Sequence, residues 1–107
     1  MKELRKLLLT KVGEKLATRQ FVAKIADQSF VRAFPDGMQS LHLAFIKHPT
    51  DFDVTADVAV RLTALEDMRN AVDPNITKKQ KNQSYSIGCE LGNIVSGRPH
   101  RWTVTPA

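Results

Sequence analysis

The sequence predicts an α+β fold: an antiparallel sheet of about five strands, in the order αβββαββ, with an N-terminal helix and one short helix on one face. Three observations lead there. Residues 38–62 alternate apolar and polar side chains with few interruptions, the period of a strand with one buried and one wet face. Residues 3–18 repeat apolar side chains every four positions, the period of a helix lying on a core. Between that alternating stretch and a second one near the C-terminus, Thr63-Ala64-Leu65-Glu66 carries the spacing of a capping box.

In the first helix Leu8, Val12 and Leu16 recur at i, i+4 and i+8, with Leu9 beside them and Leu4 at the edge. Lys6, Lys11, Glu14 and Lys15 cover the other directions. Gly13 weakens such a helix by roughly 1 kcal/mol relative to Ala unless it permits a close backbone approach. Residues 21–25 suit a short strand or an apolar lead-in, and Ser29–Phe34 suits a strand. Phe34-Pro35-Asp36-Gly37 ends it with turn chemistry, because Pro presets φ and Asp and Gly suit the positions that follow.

The next two strands form a long hairpin. With His48–Asp51 as its loop, Lys47 faces Phe52, and the inward pairs become Phe45–Val54, Leu43–Ala56 and Leu41–Val58. His42 then lies opposite Asp57 on the outer face. The same counting across Pro35–Gly37 places Val31 opposite Leu41, which sends Phe30, Arg32 and Phe34 outward. A bulge or one-residue slip at that turn reverses all three, since the side-chain period is two.

After Arg61 the period changes to that of a short helix, with Leu65, Met68 and Val72 as its apolar stripe and Asp73-Pro74 as its stop. Residues 74–83 lack apolar anchors apart from Ile76 and read as a mobile basic loop. Two last strands are expected, Tyr85–Leu91 and His100–Thr105, joined by a long connection over 92–99. The expected core is Leu8, Val12, Leu16, Leu41, Leu43, Phe45, Val54, Val58, Leu65, Met68, Ile87, Leu91 and Trp102.

The totals bound the function class. At 107 residues, 42% of them hydrophobic and 25% charged, the chain suits one globular domain spanning 1–107. No apolar run approaches the roughly 20 residues that span a bilayer, so no membrane association is expected. The basic start is followed by only a short apolar stretch, interrupted by Lys11 and without a small-residue cleavage site, so the expected location is cytoplasmic. The formal charge of +5 is uneven: residues 1–24 carry +5, 51–76 carry −4 and 77–107 carry +4. An acidic middle between basic ends suits internal complementarity or a bipolar surface better than a uniform polyanion-binding face.

No catalytic constellation is legible. His42, His48 and His100 lack metal-ligand spacing, so no metal or cofactor is expected. Cys89, the single cysteine, shares parity with Ile87 and Leu91 and is expected as inert core filler. Gly88, Gly92 and Gly97 match neither the P-loop nor the dinucleotide fingerprint. Glu90 and Arg101, expected outward on the last two strands, suit a cross-strand ion pair worth about 0–1 kcal/mol.

The N-terminal helix, Phe21 at a strand entry, the Phe30-Val31-Arg32 strand, the long hairpin and the closing Arg101-Trp102 together resemble a group of uncharacterised bacterial domains, the domain of unknown function 4304. The resemblance implies no activity and no site residues. Small bacterial domains of this kind often sit among toxin–immunity or mobile-element genes, an association that implies an accessory or immunity-type role.

The functional expectation is a non-enzymatic protein-binding module, acting on a protein partner or as a homo-oligomer. Its contact surface is the outer sheet face or the 92–99 loop, with Phe30, Arg32, Phe34, His42, Asp57, Glu90 and Arg101 as partner-binding residues. The alternative is nucleic-acid binding by the basic ends, through Arg19, Lys24, Lys78, Lys79, Lys81 and Arg98. The alternative lacks interleaved aromatic platforms.

Overall fold

The computed structural model describes residues 2–72 and 85–105. Helix α1 (Lys2–Ala17) leads into β1 (Val22–Lys24), a 3-10 turn at Ile25–Asp27, β2 (Ser29–Phe34), β3 (Gly37–Lys47), β4 (Phe52–Leu62), helix α2 (Thr63–Val72), β5 (Ile87–Glu90), the short helix α3 (Leu91–Val95) and β6 (Trp102–Val104). The architecture is α+β, with a six-stranded antiparallel sheet in the order β1-β2-β3-β4-β5 and β6 also pairing with β4. The expected mobile loop at 74–83 lies outside the described residues.

The long hairpin holds the register its alternation dictates. Lys47 pairs with Phe52, Phe45 with Val54, Leu43 with Ala56, Leu41 with Val58 and His42 with Asp57. The preceding hairpin takes the second of its two expected registers, slipped by one residue, because Phe34 pairs with Gly37 and only Pro35 and Asp36 make the turn. That slip places Phe30 opposite Leu41 and turns Phe30, Arg32 and Phe34 to the inner, helix-bearing face. Gly37 belongs to the strand because it has no side chain: a Cβ there would lie 1.7 Å from the Arg61 carbonyl oxygen.

Phe30 is the most deeply buried side chain, at 0% exposure, so it is core and not an outward contact residue. Around it lie Leu9, Leu43, Phe52, Val54 and Ala56, with Leu4, Leu8, Val12, Leu16, Phe45 and Val104 packed at the margin. Gly13 lets α1 approach closely, since a Cβ there would lie 3.2 Å from the Phe30 ring. Phe45 and Phe52 meet edge to face at 5.7 Å beneath the start of α1.

Helix α1 ends in a Schellman arrangement. Gln20 adopts a left-handed φ of 68°, the Phe21 amide donates to the Leu16 carbonyl, and the Gln20 amide donates to the Ala17 carbonyl. Arg32 reinforces this corner: its guanidinium donates to Gln39 Oε1 and to the Arg19 carbonyl. It also stacks 4.6 Å from the centre of the Phe21 ring.

Three expectations about packing are corrected. Helix α2 buries Glu66 and Asn70 and leaves Leu65, Met68 and Val72 exposed, because the Glu66 carboxylate turns inward to accept from the Ser86 hydroxyl at 2.9 Å. The last two strands do not pair with each other; β5 takes the Asp57–Val60 part of the β4 edge and β6 takes Phe52–Val54. Leu91, expected to end a strand, and residues 92–95 of the expected connection are helical, and Ile87, Cys89 and Trp102 are exposed rather than core. Their parity is the inward one, yet Ile87 keeps 68% exposure, and Trp102 keeps 44% beside Leu91, Gly92 and Val95 of α3.

Candidate functional site: an apolar groove between α1 and α3

Inward parity assigns Leu41, Val58, Val60, Ile87 and Cys89 to the helix-bearing face, through the pairs Leu41–Val58, Val60–Ile87 and Val58–Cys89. Helix α1 crosses only part of this face, from Phe45 at its first turn to Phe30 at Gly13 and Phe21 at its end. The remaining part is the floor of a groove of about 450 Å³. Leu16, Phe21 and Arg32 form one wall, and Leu91 and Ile94 form the other.

Each wall has a local cause. The first is the capped end of α1 with its Arg32 clamp. The second is α3, held by the chain folding back across it: the His100 amide donates to Glu90 Oε1 at 2.6 Å, and Gly92 is buried beneath this crossing. A Cβ at Gly92 would lie 2.6 Å from the His100 nitrogen, so the crossing requires glycine. The surface is apolar on both sides of this edge, with Ile87 of the floor 68%, Ile94 of the wall 63% and the neighbouring Val95 75% exposed.

No Asp or Glu lines the groove, and Arg32 is its one charged lining residue. Arg19, exposed at the same corner, offers its carbonyl to Arg32. The groove is therefore apolar at its floor and electropositive at its α1 end.

The outer face has a different chemistry. His42 and Asp57 are neighbours, with Nδ1 and Oδ2 3.9 Å apart and both side chains about half exposed. Glu90 pairs across from Asp57 but spends one carboxylate oxygen on the His100 amide. Arg101 does not face Glu90; its guanidinium lies 3.9 Å from Asp53 Oδ2. Asp53 is the centre of this region, accepting from the His48 ring at 3.1 Å and from the Thr103 hydroxyl at 2.8 Å. Those two hydrogen bonds, His48 first, hold the Asp53 carboxyl below its ordinary value of 3.8. The arrangement fastens β6 and the His48 turn to β4. Among the described residues no group of three or more His, Cys, Asp and Glu is placed to hold a metal ion.

The seven expected contact residues are thus divided. Phe30 is in the core, Arg32 clamps the groove wall, and Phe34 is half-buried at the end of β2. His42, Asp57, Glu90 and Arg101 remain on or beside the outer face, without a common pocket. Of the expected nucleic-acid residues, Lys24 is on β1, at one end of the strand order, and Arg98 lies in the connection after α3, which leads on from β5 at the other end. Arg19 lies at the end of α1; Lys78, Lys79 and Lys81 lie outside the described residues. The residues missed by sequence reasoning are Phe21, Ile94 and the exposed Ile87 and Cys89. Their apolar character was legible, but the absence of a cover over them was not.

No helix among the described residues is long and apolar enough to cross a membrane. Comparison with family models, with curated proteins and with solved structures gives no match.

Proposed function

We propose that this protein is a non-enzymatic protein-binding module whose groove between α1 and α3 receives an apolar helix flanked by acidic residues. The observation that carries this reading is the uncovered apolar floor, Leu41, Val58, Val60 and Ile87, lying between two helical walls. A floor of this kind beside exposed Ile94 and Val95 marks an interaction surface, and an amphipathic helix fills such a groove with side chains at i, i+3, i+4 and i+7. Acidic flanks follow from the electropositive α1 end and the lack of any lining carboxylate. A second copy of the chain is a poorer occupant, because a self-complementary contact through this groove brings no lining carboxylate to its electropositive end. Nucleic acid is poorer still, since the floor offers phosphate no donor and, of the residues expected to hold it, Lys24 on β1 and Arg98 after α3 lie on elements at opposite ends of the strand order.

The single cysteine supplies the test, because Cys89 lies in the groove and is exposed. A benzophenone maleimide on Cys89 is irradiated in native extract, beside a control with the same label at Thr55→Cys in a Cys89→Ser background. The reading expects an adduct specific to the groove label and lost with Ile94→Asp. Adducts common to both labels, or unchanged by Ile94→Asp, contradict it. A crosslinked homodimer specific to the groove replaces the helix by a second copy. For the nucleic-acid alternative, retention on heparin that falls steeply with salt is the measurement.

A further inference from the structure

A second cavity lies at the opposite end of α1 and has a different chemistry. It measures about 290 Å³ and is lined by Lys2, Arg5, Phe45, Lys47, Pro49 and Phe52. Half of these residues are cations, and none is an acid. No carboxylate among the described residues lies within 4.0 Å of Lys2, Arg5 or Lys47, although four other ion pairs meet that distance. The floor is aromatic: Phe45 and Phe52 meet at 75°, and the Arg5 guanidinium lies 6.0 Å from the Phe45 ring centre.

Bringing three cations round one concavity without a counter-charge is unfavourable in the empty protein, and an apolar floor there strengthens the field in the cavity. Arginine and lysine together suit a phosphate: Arg5 can donate two parallel hydrogen bonds, and the lysines act as point charges. The volume is at the lower end of the range for small-molecule sites, which limits the body of the ligand to about one ring. The half-buried Phe45 ring, backed edge to face by the buried Phe52, suits that ring.

We infer that the cavity formed by Lys2, Arg5, Lys47, Phe45, Pro49 and Phe52 binds a small aromatic phosphomonoester, the phosphate held by the three cations and the ring lying against Phe45. The site shares no residue with the groove and does not depend on its function.

The probe is phenyl phosphate, titrated into the 15N-labelled full chain in about 0.15 M salt, where exposed charges are screened beyond about 8 Å. Inorganic phosphate tests the charge alone, benzyl alcohol the ring alone and benzoate the carboxylate. The expected result is saturable shifts of the Arg5, Phe45 and Lys47 amides by phenyl phosphate. Inorganic phosphate and benzyl alcohol should each bind about tenfold more weakly, and Arg5→Gln or Lys47→Gln should weaken phenyl phosphate by about tenfold. Lys11→Gln, elsewhere on α1, should leave it unchanged. Equal binding of phenyl phosphate and benzyl alcohol overturns the inference, as does an equal loss with Lys11→Gln, which marks attraction to the net charge of the chain. Absence of saturable shifts at these amides overturns it too, and tighter benzoate replaces the phosphate by a carboxylate. If Arg5→Gln fails to fold, Lys47→Gln decides, because that side chain is exposed at the end of β3.

Discussion

The helix-bearing face of β3 and β4 is one continuous apolar row with two fates. Under α1, the row from Phe52 through Val54 and Ala56 to Leu43 is buried, and Phe30 is sealed against it. Two residues further along the same strand, Val58 and Val60 have the same parity but become the floor of an open groove beside exposed Ile87. Strand geometry is common to both halves, and the difference is whether a helix lies above. Alternation decides which face a side chain joins, and a cover decides whether that face is core or open surface.

The largest test of this contrast pairs one truncation from each half. Phe30→Ala should cost about 3–5 kcal/mol in urea unfolding, the range for a fully buried phenylalanine. Ile87→Ala should change stability by no more than about 0.5 kcal/mol, as expected for an exposed site. Similar losses at both positions would mean that the groove is as well packed as the core. A smaller effect is expected where α1 touches the sheet. Gly13→Leu must push the helix away from the Phe30 ring and should destabilise by about 1–3 kcal/mol, the usual cost of overpacking. An unchanged unfolding midpoint would show that α1 does not hold the covered half shut.

The smallest effect is confined to acid and concerns the outer face, which fastens β6 beside the covered half. Because the folded Asp53 carboxyl lies below 3.8, its contribution to stability is present above that value. It is lost as the pH falls through the folded value. Thermal unfolding of Asp53→Asn between pH 2 and 6 should therefore show less acid dependence than the parent chain. Equal slopes would place the acid sensitivity elsewhere.

Much of the covered half was legible in the sequence. The hairpin register, with His42 beside Asp57, follows from alternation and a four-residue loop. The helix-bearing residues of α1 follow from their spacing, and the use of Gly13 as a close approach was one of two readings its position allowed. The turn at Pro35 leaves two registers open in the sequence, and the structure holds the one-residue slip, with Gly37 in the strand and not in the turn. Its reason for lacking a side chain is the Arg61 carbonyl on the neighbouring strand, a contact remote in sequence. That residue alone decided whether Phe30 was core or surface.

The groove was less legible for a related reason. Ile87, Cys89, Leu65 and Met68 carry apolar patterns indistinguishable from those of core residues, and periodicity contains no record of what lies opposite. Helix α2 shows this most plainly. Its buried residues are Glu66 and Asn70, because Ser86 supplies a hydrogen bond to Glu66 from a segment 20 residues away. The Arg32 clamp was equally hidden, since its partners are a side chain on β3 and a carbonyl at the end of α1.

The central claim, that the apolar row is left open beyond α1, is tested most directly by the thiol of Cys89. Its reaction with a small disulfide reagent under native conditions should proceed at a rate close to that of the denatured chain and independent of protein concentration. A buried thiol reacting only through global unfolding would be slowed by a factor of about 10³ or more, given ordinary domain stabilities. Slowing of that size would contradict the open groove and, with it, the binding function proposed for that surface.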